Sequence, residues 1–299
     1  MNVLFYTEPT WAYGAIHYEL CKHLFKYNIN AFLAPWNIVY QLNELKDLET
    51  YFKYIVTPCH GYRALMRFYP SGLIRPDMII GVAHSETDIT EIVDHFGKDE
   101  FFKFHRFAVV SEYLKSFCQK LDIKRIPEIC PLGINYNLYY SKPSSSLKTI
   151  GYAGAIGESL NEIKRHHLIK IISKETNLEL RIAHGNCTSY ITMPTFYRSV
   201  DAIIVSSSKE GAGLPVLEAS AAGKLVISTD VGHWKERSKQ EFGYTLPINE
   251  EQFISESVRI LNYYKNNPDK YTQMCLKTQD HAINYDWSIV IDSWANLLK

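Results

Sequence analysis

The sequence predicts an α/β protein built from two successive parallel sheets, each covered by helices. Three observations carry this expectation. Short apolar, β-branched runs alternate with longer helical patterns, which is the mark of parallel strands joined by helical crossovers. A polar break, Pro143-Ser144-Ser145-Ser146, interrupts the alternation near mid-chain, and the pattern then restarts. The 299 residues also suffice for two domains of about 100–200 residues each.

Taken in order, residues 3–6, 29–33, 54–57, 78–82, 107–110 and 126–130 read as strands of the first sheet. Helical patterns follow several of them, clearest over 16–27 and 111–121. After the break, 149–153 reads as a strand, 162–173 as a helix, and 179–183 and 202–205 as further strands. The end of the chain is helical, closing on the aromatic-led run Asp286-Trp287-Ser288-Ile289-Val290-Ile291-Asp292-Ser293-Trp294. The expected divisions are a first domain over 1–145, a second over 146–282 and a terminal helix over 283–299.

Composition narrows the function classes. Lys plus Arg and Asp plus Glu are both 32, so the formal charge is zero, which argues against a nucleic-acid partner. No apolar run approaches the ~20 residues that span a bilayer. The start, Met1-Asn2-Val3-Leu4-Phe5-Tyr6, lacks the basic opening and long apolar segment of a signal peptide, so a cytoplasmic location is expected. The six cysteines are scattered without the paired spacing of a zinc site, and reduced thiols are the expected state. Asn186-Cys187-Thr188 matches a glycosylation acceptor but, without a secretion signal, reads as chance. There is no Asp-x-Asp pair, Walker loop or Gly-x-Ser-x-Gly elbow. Neither a metal nor a cofactor is expected.

The most informative stretch is Ser208-Lys209-Glu210-Gly211-Ala212-Gly213-Leu214-Pro215-Val216-Leu217-Glu218-Ala219, directly after the strand 202–205. It reads as a glycine-bearing turn and a helix beginning near Leu214, with proline just inside the start, where no intrahelical N–H bond is lost. Such a helix tip presents unpaired N–H groups and partial positive charge, which suit a phosphate. Glu210 and Glu218 bracket the tip. Carboxylates repel phosphate but accept hydrogen bonds from sugar hydroxyls. A diphosphate with sugars on either side describes a nucleotide-sugar.

This run resembles the Glu, seven residues, Glu signature of the retaining glycosyltransferases of family four, which have the GT-B architecture. The likeness extends upstream through Phe196-Tyr197-Arg198-Ser199-Val200-Asp201-Ala202. Downstream it extends through Glu218-Ala219-Ser220-Ala221-Ala222-Gly223-Lys224 to Gly232. The resemblance implies two Rossmann-like domains facing a central cleft, with a C-terminal helix returning to the first. It places Glu218 on the nucleotide ribose and Glu210 on the transferred sugar. It places the backbone of Gly211, Ala212, Gly213, Leu214, Pro215 and Val216 on phosphate or sugar. Read from the residues alone, Glu218 is a solvated helix glutamate, Glu210 complements the helix dipole, and the glycines are turn residues.

The family carries an Arg and a Lys on the diphosphate. Here Ala155 stands about where the Arg is usual and the turn is longer, so Lys164, with Arg165 as substitute, is the candidate cation; the mundane reading is an exposed basic helix start. Gly14 resembles the first-domain glycine turn over the donor phosphates, although any turn needs glycine. His84, at the end of strand 78–82, matches a histidine near the reacting sugar or acceptor; the alternative is a hydrogen-bonded structural histidine. His184 and Gly185 end a second-domain strand where base and ribose would lie. The stretches 62–69 and 101–107 mix aromatic and basic residues; they read first as half-buried helix faces, and second as a weak peripheral membrane or acceptor contact.

The expectation is therefore a glycosyltransferase moving a sugar from a nucleotide-diphosphate donor to a hydroxyl of a glycan, lipid-linked or small-molecule acceptor, with retention. Glu210, His84 and Lys164 are its catalytic candidates. The rival is a catalytically silent nucleotide-sugar-binding partner of another transferase.

Overall fold

The computed structural model describes residues 1–7, 11–35, 48–66, 74–157, 160–184, 190–232 and 242–299. The chain divides into two compact units, Met1–Gly133 with Trp287–Lys299, and Ile134–Asp286.

The first unit holds six strands: β1 Asn2–Thr7, β2 Asn30–Pro35, β3 Tyr54–Pro58, β4 Ile79–Ala83, β5 Arg106–Val109 and β6 Glu128–Ile129. They lie in the order β2-β1-β3-β4-β5-β6 with every pairing parallel. β3 and β4 are buried along their whole length, which is why they read as unbroken apolar runs rather than alternations. Crossover helices start with polar caps: Ser85 and Asp88 form a reciprocal capping box before Glu86–Phe96, and Ser111 accepts from Leu114 N before Glu112–Lys120. The terminal helix Trp287–Leu298 belongs to this unit. Trp294 Nε1 donates to the Pro131 carbonyl at 2.9 Å. Gly133 leaves room for the Trp287 ring, since a Cβ there would stand 2.5 Å from Trp287 Cδ2.

The second unit holds β7 Thr149–Ala153, β8 Glu179–Ala183, β9 Ala202–Val205, β10 Leu225–Thr229 and β11 Tyr244–Leu246. Their order is β11-β10-β9-β7-β8, again all parallel. One face of the sheet packs Ile150, Ile204 and Ile227 under Leu168, Ile172 and Phe253; the other packs Ile203 and Val205 under Val216, Leu217 and Ala221. Ser144, from the Ser-rich break, lies inside this unit and donates to Asp201 Oδ1 at 2.7 Å. Asp201 Oδ2 also accepts from Lys148 N and Thr149 N, so this carboxylate ties the entry of β7 to that of β9.

One expectation needs correction. The helix read over 162–173 is two pieces, Asn161–Lys164 and His166–Thr176, because Arg165 adopts φ 46 between them. A left-handed non-glycine residue is costly, and here long-range bonds from its side chain hold it, which helical periodicity cannot reveal. Among the described residues no helix is long and apolar enough to cross a membrane.

Candidate functional site at the sheet reversal

In open parallel sheets, ligands collect beyond the carboxyl ends of strands where the order reverses. In the second unit that point lies between β7, whose chain goes on to β8 on one side, and β9, its neighbour on the other. The segments leaving these two strands are stitched together. Ser206 Oγ donates to the Lys164 and Arg165 carbonyls at 2.8 and 3.0 Å, and Ser208 N donates to Ile163 O at 2.7 Å. Arg165 Nε donates to Ser206 O at 2.7 Å, and its Nη1 donates to Ile248 O.

This stitching sets Lys164 beside Glu210. Lys164 Nζ donates to Glu210 Oε1 at 2.5 Å, and Ser207 Oγ donates to the same oxygen at 2.7 Å. The Lys164 and Glu210 side chains are 23% and 16% exposed, so the pair is partly desolvated yet reachable. Tyr152, on β7, donates its hydroxyl to the Ala155 carbonyl at 2.9 Å; burial pushes its pKa up, with the Glu210 charge adding to the shift. The backbone then turns through buried Gly211, Ala212 and Gly213. Gly213 takes φ 74 as the cap of helix Leu214–Ala221, with Pro215 in its opening turn. Behind the turn sits Gly232, at φ 57; a Cβ there would stand 2.9 Å from the Ala212 carbonyl oxygen and 3.3 Å from Glu210 Cβ.

Glu218 is 6% exposed, in the same helix as Leu214, Pro215 and Val216. Both of its oxygens are taken: Tyr139 Oη donates to Oε1 at 2.9 Å and Tyr197 Oη to Oε2 at 2.6 Å. Burial raises its pKa, and the two tyrosine bonds oppose that rise. Arg165 is 5% exposed and its Nη2 has no hydrogen-bond partner; Asn161 Oδ1, His166 Nδ1 and His184 Nδ1 are likewise buried and unsatisfied. All four follow the carboxyl ends of β7 or β8. Such orphans ordinarily cost about 1–3 kcal/mol each. Gly185 lies outside the described residues.

The remaining candidates belong to the first unit. Gly14 lies within helix Trp11–Leu24, three residues past its start, rather than in a turn ahead of it. His84 follows β4 and is 8% exposed; its backbone N–H, with that of Ser85, is held by Asp88 Oδ2 at 2.7 and 3.0 Å. The His84 ring meets Tyr13 edge-on at 5.0 Å and His17 at 6.1 Å. His17 is fully buried against Phe5 with neither ring nitrogen bonded, and burial beside His84 holds its pKa well below the usual imidazole range.

Several side chains here carried no mark in the sequence, among them Tyr139, Tyr197, Ser207 and His17. Tyr197 stood inside the run that resembles the family, but nothing in its spacing from Glu218 marked a bond between them. Among the described residues no group of three or more His, Cys, Asp or Glu could hold a metal ion.

Residues 156–263 match the family model described as Glycosyl transferases group 1. No curated protein matches the sequence. Among solved structures, the chain is similar to sucrose-phosphate synthase from Thermosynechococcus elongatus, with 12% identity and a TM-score of 0.70 over 100% of this chain and 98% of that one. It is also similar to HepE of Anabaena in complex with UDP and glucose, with 13% identity and a TM-score of 0.71 over 100% and 99% of the chains. The catalytic domain of starch synthase IV from Arabidopsis thaliana, bound to ADP and acarbose, gives 12% identity and a TM-score of 0.73 over 99% and 98%. The fold is GT-B.

Proposed function

We propose that the protein transfers a sugar from a nucleoside-diphosphate donor to a hydroxyl acceptor, with retention of anomeric configuration. The observation that carries this reading is the Lys164–Glu210 pair beside the glycine turn at the β7/β9 reversal. A cation, an acid and a cluster of backbone amides at one strand end match a leaving diphosphate bonded to a sugar. Transfer builds negative charge on the diphosphate, so Lys164 and the amides at the tip of helix Leu214–Ala221 stabilise the transition state more than the ground state. Glu210 accepts from a hydroxyl of the transferred sugar and fixes its orientation. Glu218 accepts from the nucleotide ribose, and His184 lies toward the base.

The displacement is front-face: the acceptor oxygen approaches the side from which the diphosphate leaves, and a departing phosphate oxygen takes the acceptor proton. No protein nucleophile, metal or cofactor enters this scheme. His84, at the carboxyl end of β4 in the first sheet, serves the acceptor hydroxyl. The acceptor is a glycan or a lipid-linked hydroxyl compound. UDP, in the HepE structure, and ADP, in the starch synthase structure, are the donor nucleotides those neighbours suggest for testing. A catalytically silent binding partner would not need Glu210 and Lys164 set against each other, which favours the enzyme.

The test has two stages. Thermal-shift screening against UDP-, GDP- and ADP-sugars should find one donor that stabilises the protein by about 2.7 kcal/mol at a hundredfold excess over its dissociation constant. With that donor, Lys164→Met should lower the transfer or donor-hydrolysis rate by about 10²-fold, and Glu210→Ala comparably. Rates unaffected by both substitutions would refute the assignment.

A further inference from the structure

A carboxylate in an apolar cluster is an expensive choice, since desolvation disfavours the charge and an apolar side chain of similar size would pack there at lower cost. Glu218 occupies such a place. Its neighbours Val216, Leu217 and Ala219 are all buried, and so are the two tyrosines that bind it, at 1% and 0% exposure. The two rings come from different parts of the chain. Tyr139 ends the short helix Tyr136–Tyr139 ahead of β7, and Tyr197 lies in helix Met193–Arg198 ahead of β9; their centroids are 5.7 Å apart. Each hydroxyl takes a different carboxylate oxygen, at 2.9 and 2.6 Å. An ionised carboxylate offers about four lone-pair sites, so one tyrosine bond on each oxygen does not exhaust its acceptor capacity. One remaining acceptor site on each oxygen of a single held carboxylate matches, in number, the paired hydroxyls of a ribose.

We infer that Tyr139 and Tyr197 are positioning residues which hold the Glu218 carboxylate oriented for a cis-diol and thereby set a preference for ribo- over deoxyribonucleotide donors. This deepens the proposed function and rests on its reading of Glu218. Neither tyrosine touches the reacting atoms. Each acts through Glu218, and because both rings are locked by packing, little side-chain entropy remains to be lost when a ligand arrives. Removing both hydroxyls leaves the carboxylate free to rotate and takes away the bonds that favour its charged form.

The experiment is calorimetric titration of the full chain with UDP, GDP and ADP, then with the 2′,3′-dideoxy counterpart of whichever binds. The Tyr139→Phe, Tyr197→Phe, double and Glu218→Gln variants are compared with the wild type. Phenylalanine keeps the ring packing, and circular dichroism with melting curves checks that each variant folds. The wild type should bind the ribonucleotide at least tenfold more tightly than the dideoxy form. The double variant should lose about tenfold on the ribonucleotide and little on the dideoxy form, and the tyrosine changes should add nothing in the Glu218→Gln background. A double variant that keeps the wild-type ratio, or that weakens both ligands equally as a packing defect would, overturns the tyrosine assignment while donor binding stands. A wild type that binds none of the three nucleotides overturns the donor reading itself.

Discussion

Gly232 offers a way to move the Glu210 turn without substituting any residue in it. The residue follows β10 at φ 57, where a Cβ would stand 2.9 Å from the oxygen and 3.0 Å from the carbon of the Ala212 carbonyl. Gly232→Ala therefore has two effects. The left-handed backbone costs an L-residue about 1–2 kcal/mol. Restoring the ordinary contact of 3.4 Å also requires a displacement of about 0.5 Å, and the yielding atoms are backbone of the segment joining Glu210 to Gly213. Misplacement by about 1 Å at a reacting centre can cost 10²-fold, so half that shift predicts about a tenfold loss in kcat/KM for the donor. Gly97→Ala is the control for positive-φ strain without a clash: it sits at φ 85 and ψ 168, and a Cβ there meets nothing within 4 Å. Both variants should melt several degrees below the wild type, while only Gly232→Ala should lose turnover. Equal kcat/KM in the two would refute the argument that the absent side chain at 232 shapes the Glu210 turn.

Three further outcomes are expected. His17 has its folded-state pKa depressed below 6.5, so the unfolded chain binds the extra proton and stability should fall as pH drops below about 6.5, by at most about 1.4 kcal/mol per pH unit. His17→Phe, which keeps the packing on Phe5, should flatten that slope in urea titrations at pH 7.5, 6 and 5; parallel slopes would count against it. Glu218 has its folded-state pKa raised above 4.5, so it binds its proton more tightly when folded and its charge costs stability as pH rises through that window. Glu218→Gln should accordingly be at least as stable as the wild type at pH 7 although its donor binding is impaired, and urea midpoints at pH 4.5 and 7 measure this. Gly133→Ala would press a Cβ to 2.5 Å from Trp287 Cδ2 and 2.8 Å from Val290 Cγ2, and should destabilise the first unit by about 3 kcal/mol, seen as faster amide exchange along Trp287–Leu298.

The strands β7, β8 and β9 were legible to the residue: β7 and β9 are fully buried and written as short apolar runs, while β8, at the sheet edge with only Ala183 buried, alternates apolar and charged residues. β6 shrank from the expected 126–130 to Glu128–Ile129, and β11, three residues long, left no sequence signal of its own. The turn and helix around Gly213 and Pro215 were also readable, since glycine at φ 74 and proline in a helix's opening turn are local backbone chemistry. The resemblance named Lys164, Glu210 and Glu218, but not the bonds among their surroundings. The 2.5 Å contact of Lys164 with Glu210, the tyrosines on Glu218, and the kink at Arg165 join residues tens of positions apart. Periodicity and propensity report only a few neighbouring residues. Which distant side chains meet depends on the order in which strands lie beside one another, and that order is settled when the two sheets assemble and bury their apolar faces.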